Sequence, residues 1–246
     1  MLVDDERQKI WGHLAGPTPG ASISIVVSVI ETQLVEFSYK YTGSSITNEN
    51  GLTQELCIML NSHVIKERFP FWFMKEYIEA PGKGNSPQVD IGTISNQNEG
   101  IVIGPTFYGR QESFFSIETK RLDNISKARE KEYLVGRREK GRYIECGGVE
   151  RFKKEIHGKK LKYAAIIAYV QKYDFDYWHN KINAWIEALI DGSIESTVKW
   201  SETDRLVDEY KYSHTAKFKS ENSRKKGTIF LFHLWVNLVK STYAGL

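Results

Sequence analysis

Cysteine is scarce in this 246-residue chain, which holds only Cys57 and Cys146. Neither has a Cys or His at ligand spacing, so no zinc site is expected, and two isolated thiols fit a reducing compartment. Long apolar runs are missing too. The opening MLVDDERQKIW has no apolar core of the kind a signal peptide needs. The run 23–30 is too short to span a bilayer, is broken by Ser24 and Ser28, and is followed by Glu31. The expectation is a soluble, cytoplasmic protein with no membrane partner. There is no phosphate-binding glycine loop with its lysine, no nucleophile elbow and no histidine pair at zinc spacing. Internal repeats and low-complexity segments are absent.

What is present is a core. Apolar residues make up 41% and aromatics 13%, enough for a globular protein of one large domain or a domain with an extension. A net charge of +3 says little about partners, but its distribution says more. Residues 120–162 hold 15 Lys/Arg against 7 Asp/Glu, and residues 211–226 add 6 basic residues. Such clustering marks either a surface that faces a polyanion or a solvated helix face.

Taken in order, residues 1–15 read as a leading helix ended by Gly16-Pro17. Ile23, Val26, Val27, Ile30, Leu34 and Phe37 keep helical spacing, though β-branching makes a strand possible for the first part. A second helix is expected over 50–64, with Glu55 on or beside its buried stripe. Strands are expected in PFWFMKEYIEA, in QVDIGTIS and in SFFSIETKRL, with a short one at 101–104 and a loop over 105–112. Residues 123–135 read as a charged helix, 136–148 as a basic loop and 149–157 as a short helix. YAAIIAYV, residues 163–170, has the continuous apolar character of a strand buried on both faces. Trp178, Ile182, Trp185, Ile186 and Leu189 form the stripe of a further helix, where the tryptophans read as core. Residues 197–200, 206–218 and 228–239 read as strands. The order predicts a mixed α/β fold: a central sheet flanked by helices, with extra C-terminal strands.

Four residues carry candidate chemistry. Glu118 and Lys120 alternate onto one face of their strand, as an exposed ion pair or as the edge of an active site. Asp90 sits in a neighbouring apolar strand and Glu55 on a helix. Hydrolysis of a phosphodiester is slow because water is a poor nucleophile and the alkoxide a poor leaving group, and a hard divalent cation helps with both. Mg2+ takes oxygen ligands, usually one or two carboxylates with waters. Asp90, Glu118 and the Thr119 carbonyl could supply them. Lys120 could orient or deprotonate water, or stabilise charge on phosphorus; acting as a base requires a depressed pKa.

Glu55 on a first helix, Asp90 in QVDIG and Glu118 with Lys120 in SIETK resemble the PD-(D/E)xK nuclease superfamily. The resemblance covers about residues 50–170. It implies a restriction-endonuclease-like fold and Mg2+-dependent cleavage of DNA, with Mn2+ able to substitute, the chemistry of restriction or phage defence. Asp90 and Glu118 would be metal ligands, Lys120 the catalytic lysine, and Glu55 an auxiliary ligand. Val89 stands where many members have proline, and the long gap from Asp90 to Glu118 makes 96–112 an insertion. In this frame residues 1–246 form a single domain, divided into an N-terminal helical extension (1–45), a catalytic core (46–172) and a C-terminal helix and strands (173–246). A homodimer would supply the two sites a double-strand cut needs.

Arg137, Arg138, Arg151, Lys153 and Lys154 are the candidate phosphate contacts in the basic region. His157 before Gly158 reads as a helix C-terminal residue that favours the dipole, with catalysis the lesser reading. Tyr210, Tyr212 and Phe218 alternate with Lys211, Lys217 and Lys219, as a nucleic-acid contact or as a lysine-protected edge strand. The other reading of the whole chain is a binding or interaction module without catalysis, because fold does not fix function.

Overall fold

The helical spacing near the start is realised in α1 (Ala21–Tyr41), whose Val26, Ile30, Leu34 and Phe37 are wholly buried against the sheet. The computed structural model describes residues 21–80, 82, 86–123 and 129–240. The leading helix expected over 1–15 lies outside them. Buried residues from Ile23 to Tyr41 belong to the same core cluster as the sheet. The second helix, α2 (Glu49–Glu67), starts at Asn48, whose side chain accepts the Gly51 amide. That contact satisfies one of the free donors of the first turn.

Three antiparallel strands follow: β1 (Phe71–Ile78), β2 (Gln88–Ser95) and β5 (Phe115–Leu122). Gly92 is needed in β2 because the Tyr77 ring lies across it. A Cβ there would come within 2.4 Å of that ring. Between β2 and β5 the insertion forms a hairpin, β3 (Ile101–Ile103) with β4 (Thr106–Tyr108), where a loop was expected over 105–112. After β5, the helix expected over 123–135 is, among the described residues, only a 3-10 turn at Glu130–Tyr133. The expected basic loop is a second hairpin, β6 (Arg137–Glu139) with β7 (Arg142–Ile144). Then come the short α3 (Gly148–Lys153), β8 (Tyr163–Val170) and α4 (Phe175–Ile190).

The end of the chain completes the sheet. β9 (Val207–Lys211), β10 (Thr215–Arg224) and β11 (Gly227–Asn237) join it, so 206–218 is two strands and β10 runs past the expected strand end at 218. Residues 197–200 are not a strand: Thr197 is tied instead to the Glu150 carboxylate, which accepts its amide at 3.1 Å. Among the described residues seven strands form one sheet in the order β1-β2-β5-β8-β11-β10-β9. β8 lies parallel to both β5 and β11, and the outer pairs are antiparallel. Helices α1 and α2 cover one face; α3 and α4 cover the other. This is the mixed α/β architecture expected from the sequence, a central mixed sheet flanked by helices.

Candidate active site

The site forms where two paired strands separate. The β2–β5 ladder runs from Thr93–Phe115 to Ile91–Ile117. One step further, the same register would set Asp90 opposite Glu118. There the backbones part, and Asp90 Oδ2 accepts the Thr119 amide at 2.6 Å and the Thr119 hydroxyl at 2.9 Å. A side-chain carboxylate takes a backbone donor just beyond the end of the ladder. The Thr119 hydroxyl also lies 2.9 Å from that of Thr53 on α2, to which the Tyr169 hydroxyl of β8 donates at 3.2 Å. Burial raises the Asp90 pKa, and the Glu118 charge raises it further, against Lys120 and the Thr119 hydrogen bonds.

Glu118 and Lys120 point to the opposite face from Thr119, toward α3. Both are buried, at 1% and 9% exposure, so neither is a solvated surface ion. Glu118 Oε1 accepts from Lys120 Nζ at 2.8 Å and from Arg151 Nη1 at 3.2 Å. His157 Nε2 is 3.6 Å from the other oxygen. Burial alone would push the Glu118 carboxyl up; Lys120, His157 and Arg151 together hold it below its ordinary value. Burial alone would lower Lys120, but Glu118, Glu49 and Asp90 outweigh it and raise the ammonium above its ordinary value. Lys120 is therefore a cation here, not the depressed lysine that a general base requires.

The helix contributes a different glutamate from the one expected. Glu55 is half-buried and its carboxylate accepts from the Tyr41 hydroxyl of α1. Glu49 stands in the Asp90–Glu118–Lys120 group: Oε1 is 4.0 Å from Lys120 Nζ, and Oε2 accepts the Arg121 amide at 3.0 Å. Burial raises its pKa, opposed by Lys120. The available signal was the Asn48 cap, which places a carboxylate in the first turn where the helix dipole favours it.

The expected phosphate contacts are largely occupied. Lys153 is buried, paired with Asp204 and 4.7 Å above the Trp200 ring, which corrects its assignment to a surface. Arg151 turns inward, with Nε on the Glu145 carbonyl at 2.9 Å and Nη1 on Glu118. Lys154 pairs with Glu145, and Arg137 with Glu132 and Glu139. Arg138 is exposed and holds Glu195 through two contacts of 2.7 and 2.6 Å. Much of the positive charge counted in the sequence is balanced by carboxylates nearby in space. His157 is more than a helix end. It is 1% exposed and lies between Glu118 and Glu79, whose Oε2 is 3.4 Å from Nδ1. Glu79 in turn accepts the Gly158 amide and the Ser116 hydroxyl, each at 2.9 Å.

A cleft of about 290 Å³ opens beside Lys120 and Glu49, walled by Arg121, Arg129 and Tyr133. Among the described residues no three His, Cys, Asp or Glu side chains are gathered as a metal cage. Mg2+ does not need one, since it keeps several waters. The donors present suit it: Asp90, the Thr119 carbonyl, and Glu118, whose Oε2 is buried without a hydrogen-bond partner among the described residues. Comparison of the chain with protein-family models, with curated proteins and with solved structures gives no match.

Proposed function

We propose that the chain is a Mg2+-dependent nuclease of the PD-(D/E)xK type that hydrolyses phosphodiester bonds in DNA. One observation carries this reading: Asp90 binds the backbone of Thr119, the residue between the buried partners Glu118 and Lys120, near enough for their charges to act on it. Asp90, Glu118 and the Thr119 carbonyl would hold the metal, which when bound polarises the phosphate and activates water. Glu49 stands close enough to Lys120 to steady it. Lys120 keeps its proton and offers positive charge to the phosphate oxygens as negative charge builds there. Arg151 and His157 fix the Glu118 carboxylate. Restriction or phage defence, a cytoplasmic location and a homodimer belong to the same reading.

A second reading has its own support. Glu118 is already neutralised by Lys120 and Arg151, as in a structural ion pair of a non-catalytic binding module. One experiment separates the two. Supercoiled plasmid and linear single-stranded DNA are incubated with Mg2+ or Mn2+ and wild type, Asp90→Asn or Lys120→Ala. The nuclease reading expects metal-dependent cutting that both substitutions abolish. DNA binding with no cutting, and no Mn2+ binding by calorimetry, would favour the module instead.

A further inference from the structure

The β6–β7 ribbon stands outside the main sheet. It pairs Arg137 with Ile144, Arg138 with Tyr143 and Glu139 with Arg142. Its reversal at Lys140 and Gly141, with φ of 49° and 78°, is the two-residue turn whose twist suits a hairpin. The neck is anchored. Gly147 lies so close to Val135 that a Cβ would meet its carbonyl carbon at 2.3 Å. Glu150 accepts the Gly136 amide at 2.9 Å and the Tyr143 hydroxyl at 2.6 Å. The anchor continues into the candidate site: Arg151 joins the Glu145 carbonyl to Glu118, and a Cβ on Gly148 would lie 3.4 Å from Lys120 Cε. Along the ribbon, Arg137 and Arg138 are neutralised by glutamates, whereas Lys140 and Arg142 are exposed and have no ion-pair partner among the described residues.

We infer that this ribbon is the arm that enters the major groove of duplex DNA, with Lys140 and Arg142 as its contacts to the duplex. The inference rests on the nuclease reading and names its substrate as double-stranded, B-form DNA. The major groove of B-DNA, about 12 Å wide, admits a two-stranded ribbon. The groove of A-form RNA is too narrow for side chains to read, and a single strand offers none. Each cation that meets a phosphate releases counterions, so its loss appears in the salt dependence of binding.

The test measures binding of the full chain, in chelator, to a duplex DNA, its single strand and a duplex RNA across a salt series. Wild type is compared with Lys140→Ala/Arg142→Ala and, as a control on surface charge, Lys159→Ala/Lys160→Ala. The ribbon variant should bind duplex DNA about tenfold more weakly or worse, with the log–log salt slope reduced by about two. Its binding to single strands and duplex RNA, and the control's binding to duplex DNA, should match wild type. If wild type cuts DNA but the ribbon variant binds the duplex unchanged, the ribbon inference falls and the nuclease reading stands. Equal losses on duplex and single strand would reduce the ribbon to a patch of charge and overturn the groove assignment. A wild type that neither cuts nor binds DNA removes both.

Discussion

Asp90 holds Thr119 by two bonds from one oxygen, to the amide at 2.6 Å and to the hydroxyl at 2.9 Å. The same carboxylate that would bind a metal also fixes the backbone of β5 where its pairing with β2 has ended. Asparagine can accept those hydrogen bonds but carries no charge. Asp90→Asn should therefore keep stability within about 1 kcal/mol of wild type and lose Mn2+ binding. Asp90→Ala should lose both, at about 1–3 kcal/mol. Denaturant unfolding beside calorimetric titration with Mn2+ checks the pair.

Lys120 and Glu118 are buried partners, and removing one strands the other. Lys120→Met should destabilise the chain by up to about 3–5 kcal/mol, lessened because Arg151 still reaches Glu118. Adding Glu118→Gln should recover part of that loss. A double-mutant cycle in urea measures it; additive losses would mean that the two groups do not depend on each other.

The two helix glutamates separate function from support. Glu49→Gln should weaken Mn2+ binding and cutting several-fold, because its charge faces Lys120. Glu55→Gln should leave both unchanged, since Glu55 serves the Tyr41 hydroxyl. Initial cutting rates of the two variants decide the matter.

Acid should act through His233. The ring is fully buried, with Nδ1 2.6 Å from the Tyr133 hydroxyl and Nε2 2.8 Å from the Ser220 hydroxyl. Burial, helped by His179, pushes its pKa from 6.5 down to about 3. The unfolded chain takes up a proton below about 6.5 that the folded chain refuses until about 3, so stability falls as pH falls through that window. The contribution approaches about 1.4 kcal/mol per pH unit. Stability of His233→Gln, measured from pH about 7 to 4, should show a slope shallower by close to one proton.

Lys153 offers the reverse case of a lysine that counts for folding and not for binding. Paired with Asp204 in the interior, it should cost about 3–5 kcal/mol when replaced by methionine, as for other broken buried pairs. The salt dependence of DNA binding, measured below the unfolding temperature, should not change.

The separation between these two kinds of lysine was not legible in the sequence. Periodicity located α1, α4 and β8, because their apolar residues repeat at intervals set by the backbone. Strand alternation also put Glu118 and Lys120 on one face, where they pair; it says nothing of Asp90, which lies on another strand. It could not pair charges distant in sequence. Glu195 and Asp204 lie 57 and 51 residues from Arg138 and Lys153, and no local pattern announces them. Glu49 is not legible from the buried stripe of α2, because it sits in the first turn beside the Asn48 cap and off the apolar repeat. Likewise Tyr143 and Gly136 find Glu150 only once the hairpin has formed.

Strand β8 decides how the molecule can be cut apart. It bonds to β5 on one side and to β11 on the other. The division at residue 172 suggested by element order therefore runs through a continuous hydrogen-bonded surface. A fragment ending there would leave the apolar backbone of Tyr163–Val170 unpaired along a whole side, a template for adhesion to other chains. A chain truncated at residue 172 should therefore precipitate, and should regain solubility when residues 173–246 are supplied in trans.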